Sequence, residues 1–470
     1  MQELLLTISG LTDDGRGVAR HDGKVYFVAG ALPEQQVAAR VTREKKRFAE
    51  AETLRVLADM PDARPPLCPH AADCGGCPLQ TMPYERQLAW KARLVRDAFG
   101  RIGGLAEAPV LGALPSPRLV AFRNKMEFAF GEGADGALTL GLRRRGSRAV
   151  LPVTDCALMP EGGMRLLAAL RDAAAASGLA AQRFAEDGRG RGTVRAAGGL
   201  WRFAVLRHAQ DTGGGKGWWL QLVTGAADAA ARRAVRQVGE SLLARFPALK
   251  GVVHDVRLSD DMLAQGEKRA LELGSCGAEL VQELDGQPLR LDIGSFYQVN
   301  TEAAGLLCRE AKNAAALRRA SAPVLWDVYC GSGAPGLALA GDCALLLGVE
   351  YDAAAVRRAG ENARALGHIH CRYEAGDAEA VLTRLAQAGR LPAPDVVLVD
   401  PPRAGMAAGV LRQVVQAAPA RVVYISCNPA TLARDAGLLC AEGYALRQVR
   451  PVDLFPHTPH VECVALLERR

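Results

Sequence analysis

The sequence predicts an α/β C-terminal domain behind a small N-terminal β-barrel and a central α+β domain. Three observations carry this. From Val324 onward, short apolar runs alternate with helical stretches, the pattern of a mainly parallel sheet with helices on both faces. Residues 1–57 hold several short period-two runs split by turn residues, the pattern of a small barrel. The residues between them mix both periods. The expected divisions are 1–57, 58–290 and 291–470.

In the first segment the runs Leu4–Ile8, Lys24–Val28 and Gln36–Val41 read as strands. The third ends in a basic cluster, Arg43, Lys45, Lys46 and Arg47, diluted only by Glu44. Such a cluster guards an edge strand or meets a polyanion. Residues 61–80 are rich in Pro and Cys and show neither period, so they read as a metal loop; residues 84–99 look helical. In the central segment Met164–Ala176 and Ala226–Leu243 read as helices, and Arg202–Leu206 and Trp218–Val223 as strands. The short basic stretch Gly188–Gly192 reads as a flexible loop. The C-terminal strands are expected at Val324–Tyr329, Leu345–Glu350, His368–Arg372, Asp395–Asp400, Arg421–Ser426, Leu446–Val452 and Val461–Leu467.

Composition bounds the class. The chain has 470 residues, 49% hydrophobic and 23% charged, which is ordinary for a soluble globular protein. No apolar run reaches the roughly 18 residues of a membrane span. The start, Met1-Gln2-Glu3-Leu4, lacks a basic, apolar leader, so a cytoplasmic location is expected. The net charge of +7 permits a polyanionic partner without establishing one. Twelve cysteines in such a chain point to metal or catalysis rather than disulfides.

Five constellations bear chemistry. Asp327-Val328-Tyr329-Cys330-Gly331-Ser332-Gly333 follows the first C-terminal strand, and Gly331, Gly333 and Gly336 have the GxGxxG spacing that lets backbone approach a ligand. Glu350, about 20 residues on, is placed to accept from ribose hydroxyls, and Asp377 from an adenine amine. An adenosyl ligand fits; S-adenosylmethionine fits better than NAD, because the remaining motifs offer a nucleophile and a base rather than hydride chemistry. Asp400-Pro401-Pro402-Arg403 ends the fourth strand with a carboxylate on a stiff loop. Cys427, in Ser426-Cys427-Asn428-Pro429, stands between a strand and a helix, where a thiol becomes a nucleophile once its pKa falls. Glu462, in His457-Thr458-Pro459-His460-Val461-Glu462, opens the last strand and is a candidate general base. Cys68, Cys74 and Cys77 (C-x5-C-x2-C), with Cys156 as the nearest later thiol, suit either a [4Fe–4S] cluster or zinc.

Together these residues resemble the RNA 5-methyluridine (uracil-C5) methyltransferases over nearly the whole chain. Ser295-Phe296-Tyr297-Gln298-Val299-Asn300 matches that family's F-x-Q-x-N signature, and the Asp400, Cys427 and Glu462 segments match its three C-terminal signatures. Arg123-Asn124-Lys125 matches a segment of its central domain. The resemblance implies a Rossmann-like methyltransferase domain, a TRAM (OB-like) RNA-binding barrel and a central iron–sulfur domain. It implies S-adenosylmethionine bound by Gln298, Tyr329, Glu350, Asp377 and Asp400, with Cys427 as nucleophile and Glu462 as base. The cysteine spacing resembles the 23S ribosomal RNA branch, which implies a [4Fe–4S] cluster on Cys68, Cys74, Cys77 and Cys156. Ribosomal RNA is the expected substrate and the chain is expected to be a monomer. A transfer RNA enzyme, a non-catalytic RNA-binding protein and a 5-methylcytosine enzyme are the rival readings. The last leaves F-x-Q-x-N unexplained. One departure is Ala334-Pro335 after Gly333, where relatives usually carry a polar residue.

Overall fold

The period-two runs of the first 60 residues close on themselves. In the computed structural model, which describes residues 3–133, 135–186, 194–317 and 321–470, five strands form a barrel in the order β1-β2-β3-β5-β4. They are β1 (Glu3–Leu11), β2 (Gly17–His21), β3 (Lys24–Ala29), β4 (Gln36–Glu44) and β5 (Phe48–Ala58). Alternate residues Leu6, Ile8, Val28, Val37, Ala39, Ala49 and Ala51 fill its interior. The sequence reading missed β2 and β5, which turn only alanines, Ala19, Ala49 and Ala51, into the barrel core. The basic cluster lies exposed around the β4–β5 turn. The Gly188–Gly192 stretch lies outside the described residues.

The chain divides into two compact units, one comprising residues 1–67, 77–117 and 302–470, the other 68–76 and 118–301. In the second unit β6 (Lys125–Glu132), β7 (Leu138–Arg143), β8 (Val150–Pro152) and later strands build one sheet. The later strands are β11 (Trp201–Gln210), β12 (Lys216–Thr224), β13 (Leu249–Val256) and β14 (Lys268–Leu273). A small hairpin, β9 (Arg183–Glu186) with β10 (Val194–Ala197), stands apart. The pair β15 (Glu279–Leu284) and β16 (Gln287–Asp292) joins the large sheet at β11. Helices α2 (Gly163–Ala176) and α3 (Ala229–Arg245) bury Leu166, Leu170, Val235 and Leu242 in one core with Trp201, Leu206, Leu220 and Leu222. Asp228 caps α3 by accepting from the Ala231 amide at 2.8 Å.

The first unit contains the barrel, the helix α1 (Tyr84–Arg101) and a seven-stranded sheet. The helix α4 (Thr301–Ala315) leads into it. Its strands are β17 (Val324–Val328), β18 (Leu345–Glu350), β19 (Cys371–Ala375), β20 (Val396–Val399), β21 (Arg421–Ser426), β22 (Tyr444–Val452) and β23 (Glu462–Arg469). The order is β19-β18-β17-β20-β21-β23-β22. The first five are parallel; β23 is antiparallel to both of its neighbours. Helices α5 (Ala334–Ala340), α6 (Ala353–Ala365), α7 (Ala378–Gln387), α8 (Ala408–Ala417) and α9 (Pro429–Ala441) make the connections. The strand order reverses beside β17, so its carboxyl end lies at a topological switch point, where ligands bind in such sheets.

The third strand begins at Cys371, not His368. Gly367 has φ 78°, the Gly367 amide donates to Arg364 O at 3.0 Å and the His368 amide to Ala363 O at 2.8 Å. Those residues close α6 instead of opening a strand. Among the described residues no helix is long and apolar enough to cross a membrane.

Close packing between α5 and β17 holds the glycine loop in place. A Cβ on Gly336 would lie 2.1 Å from Asp327 Oδ2. Gly336→Ala is therefore expected to destabilise the chain by about 1–3 kcal/mol, measured as a lowered urea midpoint, and to weaken cofactor binding.

Candidate functional site

The glycine loop is shaped by three residues with positive φ: Tyr329 (68°), Gly331 (53°) and Gly333 (88°). For Tyr329 this is a strained conformation, held by its amide donating to Val349 O at 2.8 Å. Its hydroxyl accepts from the Ala407 amide at 3.3 Å. Glu350, at the end of β18, accepts from the amides of Gly331 (3.1 Å) and Asp352 (3.0 Å). That fixes its carboxylate at the mouth of the loop. Asp377 caps α7, accepting from the Ala380 amide at 3.0 Å, and lies within electrostatic reach of the Tyr329 hydroxyl.

Beneath this loop is a residue the sequence reading did not single out. Asp327 is fully buried; neither carboxylate oxygen accepts a hydrogen bond of good geometry among the described residues, and the Gly336 amide close by lowers its pKa only in part. Burial, then the neighbouring Asp400 and Glu350 carboxylates, push its pKa well above the usual carboxylate range. An orphaned buried acid under a glycine loop suits a cationic ligand such as S-adenosylmethionine, and Glu350 above it suits a ribose. Asp327 belongs to the loop motif itself; only its burial and lack of a partner mark it out.

Asp400 ends β20, and burial of its carboxyl raises its pKa to about 7. Arg403, three residues on, is the second residue missed. Its guanidinium is within hydrogen-bonding reach of the Cys427 thiol. Its carbonyl accepts from Asn428 Nδ2 at 2.9 Å. Asn428 in turn caps α9, accepting from the Ala430 amide at 3.1 Å. Cys427 therefore sits just before a capped helix N-terminus, as its sequence context suggests. Even so its pKa is raised, because burial and the Glu462 carboxylate outweigh the lowering by Arg403.

Sheet register places Glu462. The β21–β23 ladder pairs Ser426 with Cys463. One step further in the same antiparallel register sets Cys427 opposite Glu462. Glu462 is 3% exposed, and burial followed by Asp400 drives its pKa well up while Arg403 opposes. A cavity of about 360 Å³ opens beside Cys427, walled in part by Arg403, Asn428, His460, Asp14 of the β1–β2 turn and Asp97 of α1.

The structure thus brings Tyr329, Glu350, Asp377, Asp400, Cys427 and Glu462 to the carboxyl-end side of one sheet. Gln298 belongs to the other unit, where its carbonyl accepts from Asn124 Nδ2 at 2.8 Å. Cys68, Cys74 and Cys156 also lie in that unit, and Cys77 in the first. Cys68 and Cys74 each receive a backbone amide on sulfur, from His70 (3.3 Å) and Gly76 (3.4 Å). Burial and then Cys68 and Cys74 raise Cys156, and burial with Cys74 raises Cys68. Amide donors on cysteine sulfurs suit a thiophilic centre. Among the described residues, however, no three His, Cys, Asp or Glu side chains are gathered closely enough to hold a metal ion.

The profile of the tRNA (uracil-5-)-methyltransferase family matches residues 287–470, and that of the TRAM domain residues 1–54. An uncharacterized RNA methyltransferase of Nitratidesulfovibrio vulgaris is 43% identical over 99% of this chain and 96% of its own length. One from Gloeobacter violaceus is 36% identical over 100% and 97%. The tRNA (uracil-54, C5)-methyltransferase of Pyrococcus abyssi, solved with S-adenosyl-L-homocysteine, superposes with a TM-score of 0.73. It covers 99% of this chain and 100% of its own at 23% identity, a likeness of fold. The fold and these matches define an S-adenosylmethionine-dependent RNA methyltransferase. The chain belongs to the RNA uracil-5-methyltransferase family.

The raised carboxyl groups have a pH consequence. Between pH 3.8 and about 7 the folded chain keeps Asp400 protonated where the unfolded chain does not. This contribution to stability is therefore full at low pH and is lost as pH rises through that window. A cationic sulfonium favours the ionised carboxylate. Affinity for S-adenosylmethionine is expected to rise by up to about tenfold per unit below pH 7 and to level off above it. Calorimetry in buffers of different ionisation enthalpy should show proton release, diminished in Asp400→Asn.

Proposed function

We propose that this enzyme methylates C5 of uridine in ribosomal RNA, most specifically 23S, through a covalent adduct on Cys427. The observation that supports the mechanism is the Ser426–Cys463 pairing, one residue short of Cys427 and Glu462, with the Glu462 carboxylate acting electrostatically on the Cys427 thiol. When bound, S-adenosylmethionine supplies the electrophilic methyl group. Tyr329, Glu350, Asp377, Asp400 and, from the F-x-Q-x-N segment, Gln298 would hold it.

Uracil C5 is a poor nucleophile. Attack of the Cys427 thiolate on C6 forms an S–C6 bond and moves the ring electrons into an enolate over C5 and O4. C5 then takes the methyl group as the bond from the methyl carbon to the sulfonium sulfur breaks, its electrons staying on sulfur as a neutral thioether. Glu462 accepts the C5 proton, the C5–H electrons restore the C5–C6 double bond, and the S–C6 bond breaks to release Cys427. Splitting one displacement in this way lowers its barrier, and the positioned base contributes roughly 10²–10⁴-fold. A raised carboxyl pKa makes Glu462 a stronger base once it is ionised. Arg403, beside the thiol, favours the thiolate that attacks.

The ribosomal assignment rests on the cysteine spacing joined to a TRAM barrel. Cys68, Cys74, Cys77 and Cys156 are the proposed ligands of a [4Fe–4S] cluster with a structural role. Anaerobic reconstitution of the full chain is expected to yield equal iron and sulfide with visible charge-transfer absorption. Cys68→Ser should lose it; the same metal content in that variant would remove the cluster from the account.

Function is tested with ribosomal and transfer RNA tritiated at uridine C5. Tritium release from ribosomal RNA is expected, absent in Cys427→Ala. In Glu462→Gln the methylated adduct should persist as a complex that survives denaturing gels. Release from transfer RNA alone would keep the chemistry and change the substrate.

A further inference from the structure

We infer that helix α1 positions the general base: Gln87 and Lys91 clamp the Asp453–His460 segment that delivers Glu462 to the C5 proton. This inference rests on the role proposed above for Glu462.

Both side chains are buried within the helix's inward face, where apolar residues would be expected. Lys91 and Asp453 are each wholly excluded from solvent, with Nζ and Oδ1 2.5 Å apart. Lys91 Nζ also donates to Phe455 O at 3.0 Å, and Asp453 Oδ1 accepts from the Phe455 amide at 2.9 Å. Asp453 Oδ2 accepts from the Tyr84 hydroxyl at 2.9 Å. One turn earlier on the helix, Gln87 Oε1 accepts from the His457 amide at 2.8 Å. Its Nε2 donates to Met82 O at 2.8 Å and Leu79 O at 3.2 Å. The Leu79 amide donates to His457 O at 2.9 Å, so both backbone groups of His457 are fixed.

His457 needs this hold. Its φ is 68°, a left-handed conformation that non-glycine residues adopt only when their surroundings impose it. Five residues later the chain enters β23 at Glu462. The path between is pinned once more, by Thr458 Oγ1 donating to Phe455 O at 2.8 Å and the His460 amide to Thr458 Oγ1 at 3.3 Å.

A staple for the fold alone is a poor explanation. Replacing a buried ion pair by apolar residues of similar volume is often neutral or stabilising. A buried Lys–Asp pair that also ties down two backbone groups of one loop specifies that loop's conformation. Lys91 and Gln87 are absent from the wall of the cavity beside Cys427; they act through the loop.

A loosened loop slows proton removal more than adduct formation, because Glu462 follows the clamped loop in the chain whereas Cys427 is held between β21 and α9. The full chain, as Gln87→Met and as the double variant Lys91→Met with Asp453→Leu, is assayed with the tritiated RNAs and S-adenosylmethionine beside Glu462→Gln. Both variants are expected to turn over about 10- to 100-fold more slowly. They should accumulate the denaturation-resistant RNA adduct as Glu462→Gln does, while circular dichroism shows them folded at the assay temperature. Adduct in Glu462→Gln but in neither clamp variant would overturn the inference and leave the function standing. The same holds if activity is lost only in proportion to unfolded protein. Adduct in none of the three would overturn the role of Glu462 and the clamp together.

Discussion

The antiparallel entry of β23 between β21 and β22 is the constraint on which the site depends. Ligand-binding loops of a parallel sheet gather at carboxyl ends. A strand running the other way brings its amino end to that same edge, so Glu462 arrives where β21 delivers Cys427. Cys427 and Glu462, 35 residues apart in sequence, thus lie next to a cross-strand pair, Ser426 and Cys463, without either lying on a long loop.

That juxtaposition sets the electrostatics. Three carboxyl groups, Asp327, Asp400 and Glu462, are held at or near the same edge with raised pKa values. Burial is the largest cause in each, Asp400 adds to it at Asp327 and Glu462, and Arg403 opposes the rise at Glu462 and Cys427. An incoming sulfonium reverses the balance at the acids, so cofactor binding and ionisation of the site are coupled. The thiol shares this field: burial first, and then the Glu462 carboxylate, raise its pKa.

The segment after the cysteine-rich loop belongs to the same mechanical system. Leu79, two residues beyond Cys77, holds His457, and α1 holds the rest of the loop. The barrel contributes as well: a Cβ at Gly15 in its β1–β2 turn would come within 3.1 Å of Pro459. Three stretches distant in sequence thus converge on the residues just before Glu462.

Much of this was legible in the chain. Strand–helix alternation after Val324 gave the α/β sheet because buried parallel strands are continuous apolar runs. Gly331, Gly333, Glu350, Asp400 and Cys427 stood at strand ends, where local pattern alone locates a ligand site. The barrel was recognisable from alternation, although β2 and β5 were not, since alanine faces carry little hydrophobic contrast. Other features had no local signature. The direction of β23, the orphaned burial of Asp327, the reach of Arg403 to the thiol and the Lys91–Asp453 pair all join residues far apart in sequence or depend on what surrounds them. Strand direction and desolvation are properties of the packed chain, and only the tertiary structure decides them.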